Sequence, residues 1–371
     1  MIHNKEYMSL GDHTIHQNFN KRKFVEIRQA LDSGVQHKDC AWCWEEEAAG
    51  RKSKRLRDNE KYLGHISRGG EPFTGLAKFE LNLGNTCNLK CRTCAPYSSS
   101  QWVREQFDVH ESTRYPSFKV YSDSMKRYHM TYDDESPFWQ DLEDNLGEIR
   151  QFDFYGGEPF LSNKMWRILE ICVEKGYAKN IELHYATNAT VWPEDKIEIF
   201  KKFKHVNLNF SIDGIGERFE YMRYPAKWSE AFSNMQKSKK LQETHHDIHI
   251  SWCITISLLN IYYVPEILEE HYTNFGSFGS YLNLVHWPNY FNLNIMPDDV
   301  KLHVVNRLES IPKYHENMWY HHIPGVINFI KNGTYNEQLW NEFKEKVKLH
   351  DQYREQDFSK TFPDYARIIG L

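Results

Sequence analysis

Lys78-Phe-Glu-Leu-Asn-Leu83 followed, after Gly84-Asn-Thr, by Cys87-Asn-Leu-Lys-Cys91-Arg-Thr-Cys94 is the stretch on which the reading of this chain turns. The first part alternates apolar and polar side chains, as a strand with one buried face does. The second places three thiols in the loop just after it, where the βα loops of a barrel build active sites. Thiolates suit zinc or iron–sulfur centres, and three in one loop serve either. A structural zinc needs a fourth ligand, and none lies nearby. A four-iron cluster held by three thiolates instead keeps one iron open to a substrate. Three buried thiols without metal are the plain alternative.

Outward from this loop, strand-like runs alternate with helical ones, the pattern of βα units and a parallel sheet. The runs are Lys78 to Leu83, Ile149 to Tyr155, Ile181 to Thr187, Val206 to Ile212, Ile248 to Ile256 and Tyr281 to His286. Amphipathic stretches between them include Lys164 to Glu174, Trp192 to Phe203, Lys227 to Leu241 and Val264 to Tyr272. Pro193 and Pro265 suit a first helical turn. A sheet covered on both faces is nearly all apolar, yet here Glu80, Asn82, Asp153, Glu182, His184, Asn207, Asn209, His249 and Ser251 occupy one phase. That predicts a sheet curled into an incomplete α/β barrel with a polar lumen. The long gap after Cys94 predicts a helical insertion, with Phe138 to Leu146 as the crossover helix. After Pro297 the chain reads as helices.

The expected organisation is a small N-terminal segment (1–75), a barrel (76–290) and a helical C-terminal extension (291–371). In the first, Lys21 to Ser33 predicts a helix closed by Gly34. Net charge over the 371 residues is −5, which does not favour general nucleic-acid binding. No apolar run approaches a membrane span and no signal segment opens the sequence, so a cytoplasmic protein with no membrane partner is expected. Clustered cysteines in a reducing compartment point to metal rather than disulfides.

The Cys-x3-Cys-x2-Cys loop, with Tyr155-Gly156-Gly157-Glu158-Pro159 after the next strand, resembles the radical S-adenosylmethionine (SAM) superfamily over about Ala77 to Pro288. The resemblance implies a partial (β/α)6 TIM-like barrel, a 4Fe-4S cluster on Cys87, Cys91 and Cys94, and SAM as second cofactor. It gives Gly156, Gly157, Glu158 and Pro159 the SAM amino group; a glycine turn exposes carbonyls, and a carboxylate complements an ammonium. Thr187 and Asn188 resemble a position near ribose and carboxylate. Ser211, Asp213 and Arg223 resemble a motif for the same groups, and Asn260 a position near adenine or ribose. Each of these also suits a cap or turn. The residue before the third cysteine is often aromatic in the family; here it is Thr93.

Cys40 and Cys43, with Glu46, Gly50, Ser53, Arg55 and Asn59 after them, resemble a Twitch-like or SPASM-like segment. The resemblance implies a second iron–sulfur cluster there, but relatives of that kind usually carry further cysteines upstream and none stands before Cys40, so a structural Cys-x-x-Cys knuckle is the favoured reading. The basic run from Arg51 to Arg57 reads as a solvated helix compensated by Glu45 to Glu47. Trp287, Tyr290 and Phe291 are candidates for substrate contact, and Cys172 and Cys253 read as core residues. The resemblance further implies a flavodoxin-like or ferredoxin-like electron donor and a peptide or protein substrate. A small metabolite, sugar or nucleotide, or a non-catalytic metal-binding role on the same barrel, are the alternatives.

Overall fold

The computed structural model describes residues 13–48, 53–62, 77–126, 136–276, 279–311 and 322–371. Its strands are β1 (Lys78–Asn82), β2 (Gln151–Tyr155), β3 (Glu182–Thr187), β4 (His205–Ser211), β5 (Ile248–Ile256) and β6 (Gly279–Leu284). They pair in the order β1-β2-β3-β4-β5-β6. Registers are parallel, with Leu208 opposite Ile250 and Ile254 opposite Leu282. A parallel sheet in sequential order, with helices between strands, is the (β/α)6 arrangement of a partial TIM-like barrel. Helices Asp298–Glu309, Ile323–Lys331, Glu337–Arg354, Phe358–Thr361 and Pro363–Ile369 make the C-terminal region helical.

Most crossover helices form where apolar periodicity places them: Pro137–Asn145, Asn163–Glu174, Trp228–Thr244 and Val264–Phe275. The stretch from Trp192 to Phe203 differs. Pro193, at ψ 67, opens only a 3-10 turn (Glu194–Lys196), and the α-helix is confined to Ile197–Phe200. Burial of Phe200 and Phe203 supplies the apolar signal without a continuous helix. Among the described residues, no helix is long and apolar enough to cross a membrane.

The chain forms two compact units, one of residues 1–80, 131–153 and 168–182, the other of 81–130, 154–167 and 183–371. In the first, helix Arg22–Asp32 matches the expected N-terminal helix. Helix Lys54–Lys61 has no buried residue, which agrees with a solvated helix for the described part of the basic run. Arg55 does pair with Glu47 at 2.6 Å, but Lys54 pairs with Glu80. Lys61 reaches Gln151 (2.7 Å) and Glu182 (2.5 Å), and the Tyr62 hydroxyl donates to Gln151. Lys78 joins Asp58 (3.3 Å) and Asp153 (3.2 Å). Glu80 and Glu182 on the polar phase of the strands thus find cations on this helix, and Asp153 finds one on β1, because buried charges are costly unless paired. Arg51, Lys52 and Gly50 lie outside the described residues, as do the side chains of Glu45 and Glu46.

In the second unit, β4 alternates half-buried and buried residues throughout. Leu208 and Phe210 face the core, while Asn207 bonds His184 (3.0 Å) and Asn209 donates to the Tyr185 carbonyl (2.9 Å). Ser251 donates to Asn209, and the rings of His205 and His249 lie 4.3 Å apart. The polar phase is therefore a hydrogen-bonded lining. On the opposite face Phe154, Phe160, Tyr185 and Phe200 form one aromatic cluster. Phe160 belongs to the short turn after the Gly-Gly pair, so the cluster anchors that turn to the sheet.

Candidate functional site

Cys87 and Cys91 are buried and Cys94 is half-buried. Local bonds shape their loop. The Asn85 side chain donates to the Pro96 carbonyl (2.6 Å), and the Ser100 amide donates to the Asn85 carbonyl (2.7 Å). The Trp102 indole donates to the Cys91 carbonyl (2.9 Å). Lys90 and Arg92 donate their amides to the carbonyls of Tyr224 (2.7 Å) and Met222 (2.8 Å). The sulfurs also receive donors: Asn188 Nδ2 lies 3.9 Å from Cys87 and Arg223 Nη1 3.8 Å from Cys91. Burial pushes the Cys87 thiol up to about 11. Cys91 is shifted down, chiefly because the Cys94 thiol hydrogen-bonds to it, with Arg223 and Arg354 adding positive charge. Cys94 is shifted up by the same hydrogen bond, so of the three sulfurs Cys91 is the one favoured as a thiolate.

The turn after β2 packs against this loop. Gly156 (φ +81) and Gly157 (φ +48) take backbone conformations that disfavour side chains. A Cβ on Gly156 would run into the Asn82 side chain and reach 2.7 Å from the Gly84 carbonyl; one on Gly157 would run into the Thr86 carbonyl. The Glu158 amide donates to that same carbonyl at 2.8 Å. Thr86 immediately precedes Cys87, so the turn and the thiol loop are fixed to one another.

Glu158 itself is buried, with its carboxylate on the end of β3. It accepts from Thr187 Oγ1 (2.8 Å), the Asn188 amide (2.8 Å) and the Phe160 amide (3.2 Å). Both oxygens therefore meet protein donors, and the surface the turn presents is backbone. Pro159 opens the 3-10 turn that seats Phe160. Burial outweighs the three donors and pushes the carboxyl up to about 7. The folded protein then holds a proton that the unfolded chain releases near its ordinary value of 4.5. Stability is greatest below that value and falls as pH rises through about 7, by roughly 3 kcal/mol. Glu158→Gln is expected to flatten this part of the stability curve, measured by urea midpoints from about pH 5 to about pH 8. An unchanged slope would mean the carboxyl is ionised throughout.

Just beyond β4, Asp213 forms a buried ion pair at 2.7 Å with Arg223, which closes helix Glu217–Met222. Asp213 also accepts from the Thr255 amide (3.0 Å). Asn260 donates to the carbonyls of Asp213 and Thr255, each at 2.9 Å, and accepts from the Ser257 amide. Its amide group thus ties two strand ends together. Ser211 ends β4 half-buried. Thr187, Asn188, Asp213 and Arg223 all lie in one neighbourhood with the cysteines, through Glu158 on one side and Cys91 on the other. Sequence reasoning passed over Arg92, Trp102, Asn85 and Asn88, of which Asn88 accepts from Asn188 at 2.8 Å. Arg92, between two cysteines of the motif, was the one with a visible signal.

These residues fit a cluster and a charged adenosyl ligand. Among the described residues, no three of His, Cys, Asp or Glu are gathered as the ligands of a single ion would be. The glycines let the turn pack directly on the Asn82 side chain and on the Gly84 and Thr86 carbonyls, where a Cβ would clash, and the buried Arg223 Nε has no hydrogen-bond partner. Elsewhere, Cys40 ends a 3-10 turn and Cys43 lies one helical turn on, in helix Ala41–Ala48; burial first, then Cys43, raises the Cys40 thiol. Trp287 is 64 % exposed, whereas Phe291 is buried and Tyr290 stacks on it edge-on at 4.7 Å. Cys172 and Cys253 are buried as expected, and the Cys253 sulfur accepts from Asn283 at 3.0 Å.

A parallel barrel with a three-thiolate loop after its first strand defines a class of iron–sulfur protein. Residues 81–258, just under half of the chain, match the family model described as the Radical SAM superfamily, a family that uses a 4Fe-4S cluster and SAM. No curated protein matches the chain. Similar solved structures include native anSMEcpe with bound AdoMet and Cp18Cys peptide, at 16 % identity over 68 % of this chain and 62 % of that one, TM-score 0.39. SuiB of Streptococcus suis is similar at 11 % identity over 79 % of this chain and 62 % of that one, TM-score 0.41. SuiB bound to the precursor peptide SuiA gives 12 % identity over 92 % and 68 %, TM-score 0.36. The chain spans about three-fifths of the length of the first of these solved proteins.

Proposed function

We propose that the protein is a radical SAM enzyme that abstracts hydrogen from a peptide or protein, with 76–290 as the catalytic barrel, 1–75 as an N-terminal segment and 291–371 as a helical extension. The observation that carries the catalytic reading is the junction at Thr86, where the Gly-Gly turn and the cysteine loop share one carbonyl (2.8 Å from the Glu158 amide). Cys87, Cys91 and Cys94 hold the cluster. When bound, cluster and SAM supply reductive cleavage to methionine and a 5′-deoxyadenosyl radical. Carbonyls of the Gly156–Gly157 turn receive the SAM amino group. Arg223, held by Asp213, offers its fork to the carboxylate. Thr187, Asn188, Ser211 and Asn260 line the ribose and adenine side, and the buried strand ends exclude water. A flavodoxin-like or ferredoxin-like protein delivers the electron.

The peptide is the substrate class implied by the resemblance of the Cys40/Cys43 segment to Twitch-like and SPASM-like proteins; those two thiols are the place for any second cluster. Exposed Trp287, Tyr155 and Tyr97 offer aromatic surface suited to side chains. Anaerobic reconstitution followed by assay of 5′-deoxyadenosine, with and without dithionite, tests the catalytic reading. Reductant-dependent product supports it; a bound cluster with intact SAM favours the non-catalytic role, and tightly bound zinc overturns both. Product formation stimulated by a small peptide encoded beside the gene, and not by metabolite or nucleotide pools, supports the substrate class.

A further inference from the structure

Helix Glu337–Arg354 grips the cysteine loop from behind. Arg92, inside the motif, is 4 % exposed. Its Nη2 donates to Asp351 Oδ1 (2.5 Å) and Gln356 Oε1 (2.8 Å), and its guanidinium lies 4.0 Å over the Tyr221 ring. The Tyr221 hydroxyl donates to the same Asp351 oxygen (2.7 Å), and the other accepts from the Phe358 amide (2.7 Å). Asp351 is therefore fully engaged, half of it on the loop.

Three residues on, Arg354 Nε donates to both oxygens of Glu105 (2.8 and 3.0 Å). Glu105 also meets His350 (2.7 Å) and Lys90 (2.8 Å), the residue before Cys91. Arg354 sits 4.8 Å over the ring of Trp102, whose indole holds the Cys91 carbonyl. Its two terminal nitrogens are buried without hydrogen-bond partners. Two separate linkages thus run from one helix to the two residues flanking Cys91.

We infer that this helix is a clamp on the cluster loop, with Asp351 and Arg354 as positioning residues that hold Cys91 and set the reduction potential of the cluster. The inference rests on the proposed function for the cluster itself. Outer partners of a ligand loop fix its geometry, and nearby charge and hydrogen bonding tune cluster potentials. A buried cation favours the more negative, reduced cluster; a buried carboxylate opposes it.

The test uses full-length Asp351→Asn, Arg354→Gln and Arg354→Lys proteins. Iron per chain and the EPR-monitored midpoint potential are measured after anaerobic reconstitution, with circular dichroism as the check on folding. Asp351→Asn is expected to lose twofold or more of its iron and to move the potential upward. Arg354→Gln should move it downward, and Arg354→Lys should stay near the parent. Opposite signs from two neighbouring changes are not what general damage produces. Limited proteolysis of the cluster-free proteins reads the clamp separately, with faster cutting between residues 84 and 100 expected in Asp351→Asn. Folded variants with parental proteolysis, iron content and potential overturn the clamp. A parent chain that takes up no cluster, yet shows protected proteolysis lost in Asp351→Asn, overturns the proposed function and the potential-setting role while leaving the mechanical linkage.

Discussion

Cys91→Ala is expected to bring reductant-dependent SAM cleavage down to background, a loss of roughly a thousandfold or more, equivalent to about 4 kcal/mol or more of barrier. The reason is coordination rather than packing. In the proposed scheme each of the three thiolates of one loop holds one iron, so removing one leaves an iron without its protein ligand. Arg223 Nη1, 3.8 Å from the Cys91 sulfur, would then face an apolar methyl. Cys87→Ala and Cys94→Ala should behave alike, and iron per chain should fall with activity. Cys172→Ala is the control, since that thiol is fully buried in helix Asn163–Glu174. It should cost some stability through its small cavity but keep the cluster. Retention of iron and turnover in Cys91→Ala, measured beside that control, would remove the coordination scheme.

How much of this could be read from the chain depends on how local each signal is. The strands were legible because period-two alternation persists along each of them, as in Glu182–Thr187 and His205–Ser211, and each observed strand end lies within two residues of its expected place. The cysteine loop and the Gly-Gly-Glu-Pro turn were legible as motifs because each is a short run of neighbouring residues. Trp192 to Phe203 misled because buried Phe200 and Phe203 imitate helical spacing while Pro193 opens a tighter turn. Glu158 read as a group for an ammonium, yet its carboxylate braces Thr187 and Asn188. That role depends on the depth at which the turn is buried, which composition does not encode. Least visible were pairings across the chain. Lys61 with Glu182, or Arg92 with Asp351, are ordinary charges in sequence and become partners only when the fold brings them together.

Gly157→Ala separates the cost of an unusual backbone from the cost of lost space. A methyl there meets the Thr86 carbonyl, with the Thr86 carbonyl carbon only 2.8 Å away, and neither partner is a flexible side-chain end. Either the turn or the peptide before Cys87 must move. Gly216 provides the comparison: its φ is +55, but a methyl added there would have nothing within 4 Å. Both substitutions should lose about 1–3 kcal/mol from backbone strain, read as lower urea midpoints. Gly157→Ala alone should weaken SAM binding to the reconstituted protein tenfold or more, about 1.4 kcal/mol or more, because the carbonyls proposed to receive the amino group are displaced. Equilibrium dialysis with labelled SAM measures this directly. Equal SAM affinity in the two variants would show that the turn does not form the amino-group site, even if both had lost the same stability.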